Sequence, residues 1–479
     1  MSLHRPFPIA TGACALALLL ALVSPARAAD TRAFACTSDF TPGAPGSVSV
    51  ADLVTHTVSL DVASIHNDAV ARWFGGLLHV VNRFGGDNIQ VIDPAANYAT
   101  VRQISTGNGS NPQDIAFVSP TKAYVSRYGS SDLLILNPSH PLGLPQSSIS
   151  LAAFADGDGL PEMARMIRIG RYLFVACQRL TGFVPSNPSM VVVVDTQTDL
   201  VVDVDPVTPG VQAITLATRN PVTSFDYDRG QGRLLIGCGG NFGVLDGAVE
   251  AVDPVAFASL GVVTTEAELG GDLNDVIWHT ATHAYALVGT GTVNRLVTWN
   301  PTNGLKTGTP FTANGGFSLP DMEINDRGEL YVCKNPNPPS ASDLPGLLVF
   351  SVATDGLLAG PLGTGLPPIA VTFDHATDQV TGVPPELYAE LVFAPRPNPT
   401  RQGATFGIRL ERASELHLDV YDVGGRHIRA LARGPHPAGT TQIFWDLKGD
   451  DGRRVASGVY LARTRMGHMT TMRRLSVLR

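Results

Sequence analysis

The chain has 479 residues, about three times the usual domain length of roughly 150, so two or more domains or one large repeat fold are expected. Charged residues make up only 16%, and the 49 glycines and 35 prolines imply many turns and short elements, which excludes a coiled coil, a helical bundle and a charge-rich disordered chain. The net charge of −8 supplies no electrostatic reason for a nucleic-acid partner.

Residues 1–28 read as an export signal. His4 and Arg5 form a basic start, residues 9–23 an apolar run, and Ala26-Arg27-Ala28 a small-residue cleavage site. The run is too short for the ~20 residues of a membrane-spanning helix, and no later stretch reaches that length, so no transmembrane anchor is expected in the mature chain. Cys14 lies too early in the run to accept a lipid. The mature protein is expected to begin near Ala29 and to be extracytoplasmic, either secreted or at the cell surface, with the periplasm as transit compartment. Four cysteines remain: Cys36, Cys177, Cys238 and Cys333. The last three lie in similar strand phrases (FVACQ, LIGCG, YVCKN), which points to buried thiols in corresponding strands rather than to disulfides.

After a mature N-terminal segment, 29–45, a unit recurs through residues 46–382. It consists of a short strand, a turn, a β-rich strand ending in polar residues, and a third strand running into Asp/Asn-Pro or a similar turn. Copies begin near His66, Asn111, Pro161, Pro221, Leu273 and Pro320. The spacing of roughly 45–60 residues suits a four-stranded propeller blade. Residues 368–382 read as the opening strands of a further blade and 46–62 as the closing strands of one. Pairing them closes a ring without a free sheet edge. The reading is all-β: a seven-bladed β-propeller, with six or eight blades as alternatives, plus a C-terminal Ig-like β-sandwich.

The phrases LHVVNRFGGDNIQVIDP and AYVSRYGSSDLLILNP resemble those of bacterial extracytoplasmic propellers of the YVTN-repeat surface-protein type. Similar phrasing occurs in lactonase and quinoprotein propellers. The resemblance implies a fold far more than a reaction.

A Pro-rich linker, 383–400, leads into a module at 401–479. In LHLDVYD, Leu416, Leu418 and Val420 alternate with His417, Asp419 and Tyr421, a half-buried strand pattern, and Gly424-Gly425 marks a hairpin turn. The words VYDVGGRHIRAL and WDLKGDDGRRVASGVYLARTRMG resemble the Ig-like domain of the flagellar hook-capping protein and the related C-terminal sorting domains of type IX secretion cargo. That resemblance implies a role for 401–479 in secretion sorting or surface attachment, with the secretion machinery as partner. Residues 394–479 carry 15 Arg/Lys and 7 Asp/Glu, a net of +8, which leaves −16 on the rest of the chain. A basic module on an acidic body fits docking to an acidic partner or an anionic envelope surface.

No nucleophile-elbow, zincin, C-x-x-C or P-loop signature occurs, so no catalytic residue is assigned. His279 and His283 flank a strand-to-strand turn and read as exposed turn residues. DGDGLPE (156–162) lacks the glutamate of an EF-hand and reads as an acidic turn. The blades themselves supply the strongest constellation. Near the start of the innermost strand stand Asp68, Asp114, Glu162, Asp275 and Asp321; near the end of the second strand stand Arg83, Arg127, Arg179 and Lys334. Successive strands reverse direction, which puts both sets at one mouth of the central channel. Paired with one another, these charges organise loops at about 0–1 kcal/mol per pair. Unpaired, they form a concave polar site for a glycan, a peptide or an envelope protein, and the aspartates offer oxygen ligands to Ca²⁺. No other cofactor is expected. Phe84 and Tyr128 each follow a mouth arginine, which favours recognition over catalysis. The leading expectation is non-catalytic binding. The alternatives are a lactonase-like hydrolase or polysaccharide lyase, and a structural surface-layer component.

Overall fold

The computed structural model describes residues 30–205, 207–336, 343–374, 395, 397–410, 414–437, 439–466 and 469–478. Residues 1–28, read above as an export signal, and most of the segment 383–400, read as a linker, lie outside the described residues. Among the described residues no helix is long and apolar enough to cross a membrane.

The described residues of 32–373 form seven antiparallel sheets, six threaded in sequence order from inside outwards and the seventh built from both ends of the segment. Sheet 1 comprises Ala69–Phe74, Leu77–Asn82, Asn88–Asp93 and Ala99–Ser105; sheet 2, Pro112–Ser119, Lys122–Arg127, Asp132–Leu136 and Pro145–Ser150. Sheet 3 (163–215) follows with a fifth short strand, then sheet 4 (226–265), sheet 5 (272–314) and sheet 6 (322–362). Sheet 7 has Pro368–Phe373 innermost, followed by Arg32–Thr37, Gly46–Asp52 and Val58–Ile65. Neighbouring innermost strands contact one another around the ring, and a shared apolar cluster joins sheets 3 and 4. This architecture is a β-propeller.

The burial pattern explains the repeated phrases. Second and third strands lie between two neighbouring sheets and are apolar on both faces, as in Leu77–Asn82 and Tyr172–Cys177. Outermost strands see solvent and alternate instead, as in Ala258–Thr265. The recurrent Asp/Asn ending of strand three caps the following turn. Asp93, Asn137, Asp253 and Asn300 each accept the amide two residues on, from Ala95 (2.8 Å), Ser139 (2.9 Å), Val255 (2.8 Å) and Thr302 (2.9 Å). The four cysteines are buried free thiols.

Closure differs from the expected sharing of strands. The C-terminal side contributes one strand, Pro368–Phe373, and the N-terminal side three. The extra strand, Arg32–Thr37, lies in the segment read as preceding the propeller. Asp374 bolts the seam: it accepts the amides of Thr31 (2.7 Å) and Arg32 (2.8 Å) and the Arg32 guanidinium (2.9 Å).

In the C-terminal module Ala404–Leu410 pairs with Gly439–Trp445. A four-stranded sheet runs His427–His436, Ser414–Asp422, Gly458–Met466, Met469–Val477. Leu416, Leu418 and Val420 are buried with Phe406, Trp445, Tyr460 and Leu475, and Trp445 Nε1 donates to the Lys448 carbonyl at 2.9 Å. Gly425 makes the hairpin turn at φ +80°, a backbone state that costs glycine nothing sterically.

Candidate functional site

All innermost strands start at the same end of the ring. The loops from strand two to strand three, and from each outer strand to the next inner one, gather there as well. The expected acids and bases therefore share one end, but their side chains part company. Among them only Asp68 and Arg83 pair directly, Nε to Oδ1 at 2.8 Å, with both side chains about a quarter exposed. The Arg127 guanidinium instead donates to the carbonyls of Thr106 (2.9 Å) and Asp132 (2.7 and 3.0 Å). Arg179 donates to Pro188 (2.8 Å) and reaches Ala155 at 3.5 Å. Lys334 bonds the Leu344 carbonyl at 3.3 Å and pairs with Asp343. These three bases bond main-chain carbonyls of the surrounding loops, and Lys334 the Asp343 carboxylate as well, rather than the expected acids.

The inner-strand acids turn toward the channel and clasp the next sheet. Asp114, 1% exposed, accepts the amides of Ile115 (2.9 Å) and Met166 (3.0 Å) and the Arg72 Nε at 3.0 Å. Asp275 accepts Met322 N at 3.3 Å and Asp321 accepts Val371 N at 2.8 Å. A fourth clasp was not singled out from the sequence: Asp226 accepts Tyr227 N (2.7 Å) and Trp278 N (2.6 Å). Its signal was available, because donor and acceptor lie 52, 47, 50 and 52 residues apart for Asp114, Asp275, Asp321 and Asp226. That separation is the blade repeat itself.

The clasps enclose a channel cavity of about 100 Å³ lined by Arg72, Asp226, Asp275, Asp321 and Glu323 among apolar side chains. Burial pushes Asp226 up to about 7 against its two amide donors, and Asp321 up to about 6. Asp275 is raised well above the carboxylate range by burial and then by the charge of Asp321. The same burial, helped by Arg72, lowers Arg165. The carboxylates here are engaged in main-chain hydrogen bonds between sheets.

Glu162 behaves differently. Its backbone sits at φ 42°, and its buried carboxylate accepts the Leu180 amide at 3.1 Å. Burial, with the charges of Asp158 and Asp156, pushes it up to about 8. Oxygens of Asp156, Asp158 and Glu162 lie within 4.8 Å of one another. DGDGLPE is thus an acidic turn that folds back over Glu162, a donor set suited to an oxygen-seeking cation. The His279–His283 pair is half-buried rather than exposed: His283 Nε2 lies 3.0 Å from Asp355 Oδ1, which also accepts the Tyr285 hydroxyl at 2.6 Å.

The same end of the ring carries aromatic side chains beyond Phe84 (74% exposed) and Tyr128. Phe183 is 82% exposed, Phe242 60%, Phe317 59% and Phe40 51%. Tyr128 stacks on Phe183 with centroids 6.4 Å apart, and Phe242 on Phe317 at 4.9 Å. Phe40, Phe183 and Phe317 hold φ of 56°, 67° and 58°, the left-handed region that costs a bulky residue ~1–2 kcal/mol. These rings lie in loops whose lengths vary between blades, so the repeat pattern carried no sign of them.

Residues 397–464 match the FlgD Ig-like domain family. Comparison with curated protein sequences returns no match. The propeller is similar to a candidate 6-phosphogluconolactonase of Bacteroides uniformis, with a TM-score of 0.52 and 12% identity over 72% of this chain and 100% of that one. A second such protein, from Bacteroides fragilis, gives 0.51 and 12% over 72% and 98%. The Dos1 propeller gives 0.45 and 11% over 71% and 84%. At these identities the likeness is one of fold.

Proposed function

We propose that the chain is an exported cell-envelope or secreted protein of the YVTN-repeat type, whose propeller binds a ligand without catalysis through the face that carries the exposed aromatic loops. The C-terminal Ig-like module acts in secretion sorting or surface attachment. One observation carries the binding reading. The channel carboxylates are committed to amides of neighbouring sheets, whereas the mouth loops hold stacked aromatic rings out in solvent. Aromatic faces held in solvent offer apolar area to a partner and none to the protein's own core. The test is a glycan and peptide array probed with wild type and with Phe84→Ser/Phe183→Ser. A ligand lost by the double variant supports the reading, and an array profile that the substitutions leave unchanged refutes it. Deleting 394–479 tests the module: the chain should then accumulate in the periplasm, and normal surface delivery would sink the sorting role.

The second reading is a hydrolase, favoured by the mutual proximity of Asp275 and Asp321 in the channel cavity, since paired carboxylates are a common acid–base device. Lactone hydrolysis abolished by Asp321→Asn in a folded protein would establish it.

A further inference from the structure

The mouth holds two patches of the same make. In the first, the Tyr128–Phe183 stack stands beside Asp156, Asp158 and Glu162, whose charges act on the Tyr128 hydroxyl. The loop that carries Phe183 is tied to this triad: Thr181 and Asn187 donate to Asp156 at 3.3 and 2.7 Å, and Leu180 donates to Glu162. In the second, the Phe242–Phe317 stack stands beside Asp246, Glu266 and Asp272. Gly243, next to Phe242, donates to Asp272 at 2.8 Å, and Gly247 donates to Glu266 at 2.8 Å. Each patch thus joins a stacked aromatic pair, exposed at Phe183, Phe242 and Phe317 and half-buried at Tyr128, to three carboxyl groups, of which Glu162, Glu266 and Asp272 are buried.

Of the cations at this end, Arg83 and Lys334 are ion-paired and the guanidinium groups of Arg127, Arg179 and Arg219 are bonded to main-chain carbonyls. Arg179 rests on the Pro188 and Ala155 carbonyls, and Arg219 reaches the Pro185 carbonyl at 3.1 Å. Resting on the mouth-binding reading above, we infer that the face docks a basic, apolar peptide segment of a partner protein, with arginine or lysine side chains over the two acidic patches and aliphatic side chains on the two aromatic stacks. Charge complementarity selects this occupant. A neutral sugar would use the rings and leave the charges of Asp156, Asp158 and Asp246, the three carboxylates of the set that are not buried, without a counter-charge, and an acidic chain would be repelled. In each patch the buried glutamate is pushed up, Glu162 to about 8 and Glu266 to about 7, by burial and by the neighbouring aspartates. A docked cation reverses that effect, so binding releases protons near neutral pH.

The test uses the full-length protein and a fluorescein-labelled nonapeptide of alternating arginine and leucine. Control peptides carry serine for leucine, or glutamate for arginine. The Arg/Leu peptide should bind at least about tenfold more tightly than either control. Affinity should fall at least about tenfold in Phe183→Ser/Phe242→Ser and in Asp156→Asn/Asp158→Asn. Calorimetry in buffers of different ionisation enthalpy should report proton release. Circular dichroism confirms that each variant is folded. Equal binding of the Arg/Leu and Glu/Leu peptides overturns the inference, as does undiminished affinity in both folded variants. A neutral oligosaccharide that binds wild type and is lost in Phe183→Ser/Phe242→Ser overturns the peptide class while leaving mouth binding intact. If neither probe responds to the mouth substitutions, both readings fail.

Discussion

Asp114→Ala and Asp68→Ala are the same chemical change near the start of two neighbouring innermost strands, and the structure assigns them different costs. At Asp114 the substitution strips the buried Met166 amide of its acceptor (3.0 Å) and removes the carboxylate that faces Arg72 Nε at 3.0 Å. The orphaned buried amide costs about 1–3 kcal/mol when no water replaces the acceptor. The Arg72 side chain is 30% exposed and regains water, which adds no more than about 0–1 kcal/mol. The expected loss is therefore about 1–4 kcal/mol. At Asp68 the partner Arg83 is about a quarter exposed and regains water as well, so the loss should stay within about 0–1 kcal/mol. For a domain of this size each kcal/mol moves Tm by roughly 2 °C. Scanning calorimetry should then find Asp114→Ala lower by about 2–8 °C and Asp68→Ala by no more than about 2 °C. Equal shifts would refute the assignment of inner-strand acids as clasps and return Asp114 to the ligand site.

Other consequences follow from the same geometry. Asp226 is raised to about 7 in the folded state, whereas an unfolded aspartate titrates near ~3.9. The native protein thus binds the extra proton between those values, and stability falls as pH rises from about 4 to about 7. Asp226→Asn should flatten this slope in urea titrations run across the window, and an unchanged slope would count against the cause given. Removing Arg32–Thr37 by starting the chain at Ser38 takes away the partner of Pro368–Phe373 and the anchor of Asp374. Size-exclusion chromatography should then show aggregated or swapped species, and a clean monomer would contradict the closure. Trp445→Ala empties a fully buried site in the C-terminal module and should cost that module about 3–5 kcal/mol. Calorimetry should show this as a lowered transition for the module, with the propeller transition unmoved.

What was legible in the sequence is what local chemistry decides. Phrases such as LHVVN and FVACQ announce strands buried on both faces, and IDP, LNP, VDP and WNP announce side-chain-capped turns. The acids of the innermost strands could be located because they repeat. Their role could not, because the amide each one accepts belongs to a strand about 50 residues further on and is brought within reach only by closure of the ring. Asp226 escaped notice because its strand, Asp226–Asp228, is three residues long and shows no alternation. Arg32–Thr37 escaped because six residues next to a signal-like segment carry no repeat phrase. Arg127, Arg179 and Lys334 were matched to acids by strand direction, but loop carbonyls nearer to hand captured them.

The division between repeated and unrepeated positions also bears on function. A residue that returns in four of the seven sheets answers a need that recurs with the fold, and joining one sheet to the next is such a need. Asp114, Asp226, Asp275 and Asp321 meet it in the same way, by accepting an amide of the following sheet. At the junction of sheets 1 and 2 the link also runs backwards, from Asp114 to Arg72, which leaves Asp68 outside the set and paired with Arg83 at the surface. The mouth aromatics follow no such rule. Three of them hold a left-handed backbone and all are solvent-exposed or stacked on a neighbour at the surface, so they carry a local cost with no return in core packing. Strain and exposure together stand at positions the fold does not require, and the proposed function accounts for them as a surface for a partner that covers these rings.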